Sequence, residues 1–107
     1  MKILFLNFCC TLLFLIFATS VHVNADDLFN KGKEVFLEGG NCAACHSLSD
    51  AGSMADIGPN LNQIRPQVQT ILMAVRNGIG VMPAMEGILT DEEIEAVAHY
   101  VSISADQ

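Results

Sequence analysis

The chain has 107 residues, with five basic side chains against twelve acidic ones and a formal net charge of −7, so it has room for one small domain. That acidity argues against nucleic acid and anionic membrane surfaces as partners, since both attract basic patches. The 51% hydrophobic content is inflated by the N-terminus and says little about the domain that follows.

Lys2 is the sole charge before Asp26, and an apolar block runs from Ile3 to Ala18, interrupted by Asn7 and Thr11. It ends at Val23-Asn24-Ala25, where a small residue closes the stretch. This order is that of a secretory signal, removed after Ala25. A membrane anchor is the alternative reading, but the block falls short of the ~20 residues a span needs. Apolar sequence on both sides of Cys9 and Cys10, with no small-residue box before them, argues against a lipoprotein site. The expected division is therefore a cleaved signal over residues 1–25 and one domain over 26–107, 82 residues long and without stable membrane insertion. Its basic residues are Lys31, Lys33, Arg65 and Arg76 against all twelve acids, a net charge of −8. So small a domain is marginal on core burial alone and needs a staple.

In chain order, Asp26 to Glu38 reads as a helix, with Leu28, Gly32, Val35 and Phe36 near helical spacing. Asp26 or Asp27 is its expected cap, and Gly39-Gly40 its stop. Ser47 to Gln63 is small and polar, with Gly52, Gly58 and Pro59, and reads as a loop. A loop this long in so small a domain usually has a task, such as wrapping a bound group. Arg65 to Asn77 reads as a second helix, with Pro66 at its first position, Gly78 past its end and a stripe of Val68, Ile71, Leu72 and Val75. Gly78 to Pro83 is a second loop. Thr90 to Ser102 carries a capping box in Thr90 and Glu93, acids in its first turn, a buried stripe of Ile94, Val97, Ala98 and Val101, and Tyr100 on the flank of that stripe. No alternating strand pattern is present, so the expected class is all-α.

Cys42-Ala43-Ala44-Cys45-His46 carries the chemistry. Zinc needs four ligands, and the domain offers these two cysteines plus His46 and His99. His99 is expected on the solvent side of its helix. A thioredoxin-like pair needs a βαβ setting that is missing here. A disulfide over so short a loop would stabilise little. C-x-x-C-H is instead the attachment signature of a c-type haem. Residues i and i+3 of one turn share a face, so both thiols reach the two vinyl groups of one porphyrin, and His46 follows at the iron. Covalent attachment also provides the staple. A second axial ligand could come from Met54, Met73, Met82, Met85 or His99. Met82, on the Pro83-stiffened loop, leads and Met85 is second; a thioether favours ferrous iron and raises the potential. Each Met alone would otherwise read as core filling.

With these residues in place the domain resembles a class I cytochrome c along its whole length. The resemblance rests on Gly32-x-x-x-Phe36, CAACH, Gly58-Pro59-Asn60-Leu61, Val81-Met82-Pro83-Ala84 and a last helix bearing Tyr100. It implies a small cytochrome c fold, three to five helices around one haem c bound through Cys42 and Cys45. It further implies that the Pro59 carbonyl accepts from His46 Nδ1, that Leu61 packs on the haem, that Met82 is the distal ligand, and that Gly32 and Phe36 pack against Tyr100. The ending resembles the small photosynthetic cytochrome that replaces plastocyanin, except that Met85 stands where Phe is common. It is also similar to bacterial periplasmic cytochromes fed by a dehydrogenase, of sulfite dehydrogenase type for example. The expectation is an electron carrier rather than an enzyme, in a bacterial periplasm rather than a thylakoid lumen. Its partners would be redox proteins with basic docking surfaces, and it would be a monomer or a dehydrogenase subunit. A haem enzyme or sensor would need an open axial position and acid–base groups near the loops, and no His–Arg pair stands there.

Overall fold

The computed structural model describes residues 22–107. All but the last four residues of the expected signal lie outside them. Helix α1 spans Ala25–Glu34. Its cap is Asn24, whose side chain accepts from the Asp26 amide at 3.3 Å. Asp26 and Asp27, expected as caps, sit instead in the first turn, where their charge still complements the helix dipole. The helix widens into a π turn at Val35–Gly39, and the Gly40 amide bonds the Val35 carbonyl at 2.7 Å.

The segment read as one long loop has structure of its own. Two antiparallel strands of two residues, β1 (Ser47–Leu48) and β2 (Ser53–Met54), pair Ser47 with Met54 and Leu48 with Ser53. Strands this short cannot show alternation, which is why the all-α reading missed them. The turn between them uses Gly52 at φ +65°. A short helix, α2 (Leu61–Ile64), follows, capped by Asn60. Arg65 closes it in the left-handed region at φ 43°. The next helix, α3, therefore starts only at Val68 and ends at Asn77, with Gln67 as its cap and Pro66 outside it. Gly78 ends α3 as expected. Helix α4 spans Asp91–Ser104 with the Thr90–Glu93 capping box formed.

Packing centres on the crossing of α1 and α4. Gly32 is buried there, and a Cβ on it would overlap the Ala96 carbonyl and the Tyr100 Cβ. Tyr100, expected on the flank, is fully buried at the centre of the core. Phe29 and Phe36 meet its ring edge-on at centroid distances of 5.0 and 5.8 Å. Ile71 and Val75 of α3 and Leu48 and Leu61 of the intervening segment complete the core, while Val68 remains 39% exposed. No helix among the described residues is long and apolar enough to cross a membrane.

Candidate haem-attachment site

The CAACH segment forms one tight turn. Asn41 enters it in the left-handed region at φ 51°, a conformation Asn tolerates better than most residues. Cys42–Ala44 is a 3₁₀ turn, and the amides of Cys45 and His46 both donate to the Cys42 carbonyl, at 3.1 and 3.0 Å. Both thiols are free and half-buried. Burial pushes the Cys42 thiol up to about 11. A thiol kept protonated at neutral pH is the opposite of the acidic cysteine that drives disulfide exchange.

Three groups from later in the chain hold this turn. The Gly58 amide donates to the Cys45 carbonyl at 2.7 Å. His46 Nδ1 lies 2.9 Å from the Pro59 carbonyl. That carbonyl can only accept, so Nδ1 carries the hydrogen and Nε2 is left with its lone pair. Gly58 packs flat on the imidazole, and a Cβ there would stand 2.6 Å from Cε1 and 2.8 Å from Nδ1. Finally, Ser53 Oγ lies 2.8 Å from the Ala43 carbonyl and 2.6 Å from the His46 carbonyl.

Met82 sits on a different support. Ile79 and Met82 exchange two backbone hydrogen bonds, of 3.1 and 2.9 Å, around a turn with Gly80 at φ +56°. Gly78 lies beneath it, and a Cβ there would press on the Met82 carbonyl and the Ala84 amide. Both Met82 and Met85 are half-buried and pack on the core. The Met85 amide donates to the Val75 carbonyl at 2.8 Å, which ties that residue to the end of α3. Met54 is 91% exposed and Met73 65%, which leaves neither inside the fold. His99 is half-buried on α4. Leu61 is buried in the core. An open cleft of about 630 Å³ runs along the hairpin and touches Gly58, but neither His46 nor Met82 lines it.

These residues fit a covalently held haem. Two thiols share one turn, an imidazole is locked with one nitrogen available, and glycine stands where a side chain would displace that ring. The family model described as cytochrome c oxidase, cbb3-type, subunit III matches residues 27–101. The chain belongs to this family and is a small class I c-type cytochrome. The cytochrome c6 of Thermosynechococcus vestitus is 35% identical over 105 residues, covering 94% of this chain and 91% of that protein. The cytochrome c6 of Cladophora glomerata is 37% identical over 81 residues, covering 70% and 87%. The crystal structure of the c-type cytochrome SorU from Sinorhizobium meliloti superposes with a TM-score of 0.71 at 52% identity, covering 75% of this chain and 93% of that one. The cytochrome carries haem c through Cys42 and Cys45 and is an electron carrier.

The family resemblance implies the pairing of His46 with Pro59, and the 2.9 Å contact is present. The roles of Ser53 and Gly58 emerge only from the structure. The glycine could have been flagged by its place beside the ring-fixing proline. Ser53 has no such signal, because its reach to the turn depends on the hairpin.

Proposed function

We propose that this cytochrome is a periplasmic single-electron carrier whose iron is ligated by His46 Nε2 and Met82 Sδ. The observation that carries the proposal is the 2.9 Å contact between His46 Nδ1 and the Pro59 carbonyl, which leaves Nε2 free to coordinate and fixes the ring. Bound haem c supplies one electron at a time by cycling between ferrous and ferric iron. The chain's own groups do the rest. Cys42 and Cys45 would hold the ring system, Gly58 and Pro59 set the imidazole plane, and Met82, half-buried on an otherwise exposed loop, would offer a neutral sulfur. Were His46 and Met82 both to hold the iron, no position would remain for substrate, which supports a carrier over an enzyme or sensor.

The partners in this reading are redox proteins with basic docking surfaces. Lys31, Lys33 and Arg76 are each engaged with acids on the protein itself, so the outward charge is strongly negative. Docking of that kind is brief and weakens with ionic strength. The apolar start of the chain supports export, and the likeness to SorU of Sinorhizobium meliloti supports a bacterial setting. A dedicated subunit of a periplasmic dehydrogenase is the second reading.

An optical redox titration of the holoprotein tests the ligation. A six-coordinate c-type spectrum with a clearly positive potential is the expected result, and Met82→Ala abolishes Met ligation while Met85→Ala leaves it. Immediate binding of cyanide or carbon monoxide to the wild type would replace the carrier by an open-site haem protein. The reverse mutant pattern would move the ligand to Met85.

A further inference from the structure

We propose that Ser53 is a positioning residue for His46, setting the imidazole's orientation through the backbone rather than through the ring. This rests on the reading of His46 as an iron ligand.

The Ser53 hydroxyl has one hydrogen to donate and two carbonyls within reach, those of Ala43 at 2.8 Å and His46 at 2.6 Å. The two carbonyls bracket Ala44 and Cys45 and belong to the same attachment segment. Carbonyl oxygens repel when they converge, and a single shared proton between them holds the turn closed. Ser53 is half-buried, so water does not readily take over this task.

Ser53 is itself held from behind. It begins β2, and the turn joining β1 to β2 is fastened to α4 at two points. The Tyr100 hydroxyl donates to Asp50 Oδ2 at 2.7 Å. Asn62 Oδ1 accepts from the Ser49 amide at 2.8 Å, while Asn62 Nδ2 donates to the Ser104 carbonyl at 3.3 Å. Lys33 of α1 adds a third tie, with Nζ 2.9 Å from the Asp50 carbonyl. The hairpin is thus a strut between the α1–α4 crossing and the attachment turn, and Ser53 is its working end. Pro59 fixes the ring from one side; Ser53 fixes the peptide that carries it.

The test uses the full holoprotein matured with covalent haem. Ser53→Thr and Ser53→Val have nearly the same shape and differ in the hydroxyl, and both suit a strand position. Ser53→Ala is the companion that removes bulk as well. The readouts are the g-values of the ferric low-spin signal, which report the imidazole's orientation, and the midpoint potential, alongside thermal unfolding. Thr is expected to match the wild type. Val and Ala are expected to show shifted, broadened g-values and a ferrous/ferric ratio moved about two- to tenfold toward ferric at fixed applied potential. The direction follows from removing a positively polarised hydrogen beside the ligand's own peptide. Val and Thr variants with identical g-values and midpoint, differing only in melting temperature, would make Ser53 a plain structural brace and overturn the proposal while leaving the ligation intact. A wild-type protein without a histidine-ligated low-spin signal would overturn the ligation itself, and this proposal with it.

Discussion

The attachment turn and the methionine loop are built to different tolerances. Around His46, the turn's own backbone bonds are joined by three directional constraints from other segments: Gly58 on the Cys45 carbonyl, Pro59 on the ring, Ser53 on two carbonyls. Around Met82, the constraints are a local backbone turn and, further along, an exposed ion-pair cluster in which Arg76 meets Glu86 at 2.9 Å and Asp91 at 2.7 Å. Directed hydrogen bonds lose much when one partner goes, whereas surface ion pairs give little and are screened by salt. The difference places rigidity on the histidine side and adjustability on the methionine side.

A pair of glycine substitutions puts the largest strain on this contrast. Gly58→Ala drives a methyl group into the His46 ring, which is held by a backbone carbonyl and cannot retreat without losing it. The expected result is a disrupted low-spin spectrum and a loss of about 1–3 kcal/mol in unfolding free energy. Gly78→Ala adds a left-handed strain of about 1–2 kcal/mol and pushes on the Met82 carbonyl. Its neighbours are backbone atoms of the methionine loop, so the loop itself has to shift. The expected result is faster displacement of the methionine by cyanide, by tenfold or more, with the histidine-side spectrum kept. Equal damage from both variants would remove the distinction between the two sides.

The next effect in size tests the strut behind the histidine side. The Tyr100 hydroxyl, with Lys33 alongside, holds the Asp50 carboxyl below the usual range against the opposing pull of burial. Burial first, then the bond to Asp50, raises the Tyr100 phenol above its usual value. Depressed in the folded state, Asp50 contributes stability that is present above about pH 4 and is lost as pH falls through its lower folded value. Raised in the folded state, Tyr100 contributes stability that is present below about pH 10 and is lost as pH climbs beyond it. Tyr100→Phe should cost about 1–2 kcal/mol at neutral pH. It should also flatten both edges of the stability–pH curve. Chemical unfolding across pH checks this; a mutant curve parallel to the wild type at both edges would detach Asp50 from Tyr100.

Much of this histidine side was legible in the sequence, and the reasons are local. CAACH and Gly58-Pro59-Asn60-Leu61 encode short contacts whose residue types tolerate few alternatives. The helix crossing at Gly32 and Phe36 was implied by the family resemblance, and the close approach of α4 explains the glycine there. The hairpin was not legible, since two-residue strands leave no period and the Gly52 turn looks like any loop. Tyr100 was placed on the flank because the stripe of Ile94, Val97, Ala98 and Val101 already filled one face. In the structure, Ala96 and Tyr100 are buried as well, since α1 covers a second face of α4 at the Gly32 crossing. The start of α3 was set too early because Pro66 suits a first helical position, while the left-handed Arg65 before it delays the helix to Val68.

The smallest expected effect is the sharpest test of the methionine side. The Arg76 guanidinium joins the end of α3 to Glu86, beyond the methionine loop, and to Asp91 in the first turn of α4. Its attachment to Asp91, then Glu86, raises its affinity for its proton further, so it stays charged throughout. Arg76→Gln removes the charge and leaves α3, α4 and the core untouched. Because the pairs lie at the surface, global stability should barely change. The loop bearing Met82 and Met85 would still keep its backbone bonds to Ile79 and Val75. What should change is how often it opens: cyanide displacement is expected to quicken a few-fold at low salt, and the gap between variant and wild type should close as salt rises toward 1 M, where the Debye length is about 3 Å. If the ion pairs steady the loop, salt and mutation act on the same term and do not add. If the two effects add, salt acts elsewhere, and the methionine side is held by its backbone turn alone.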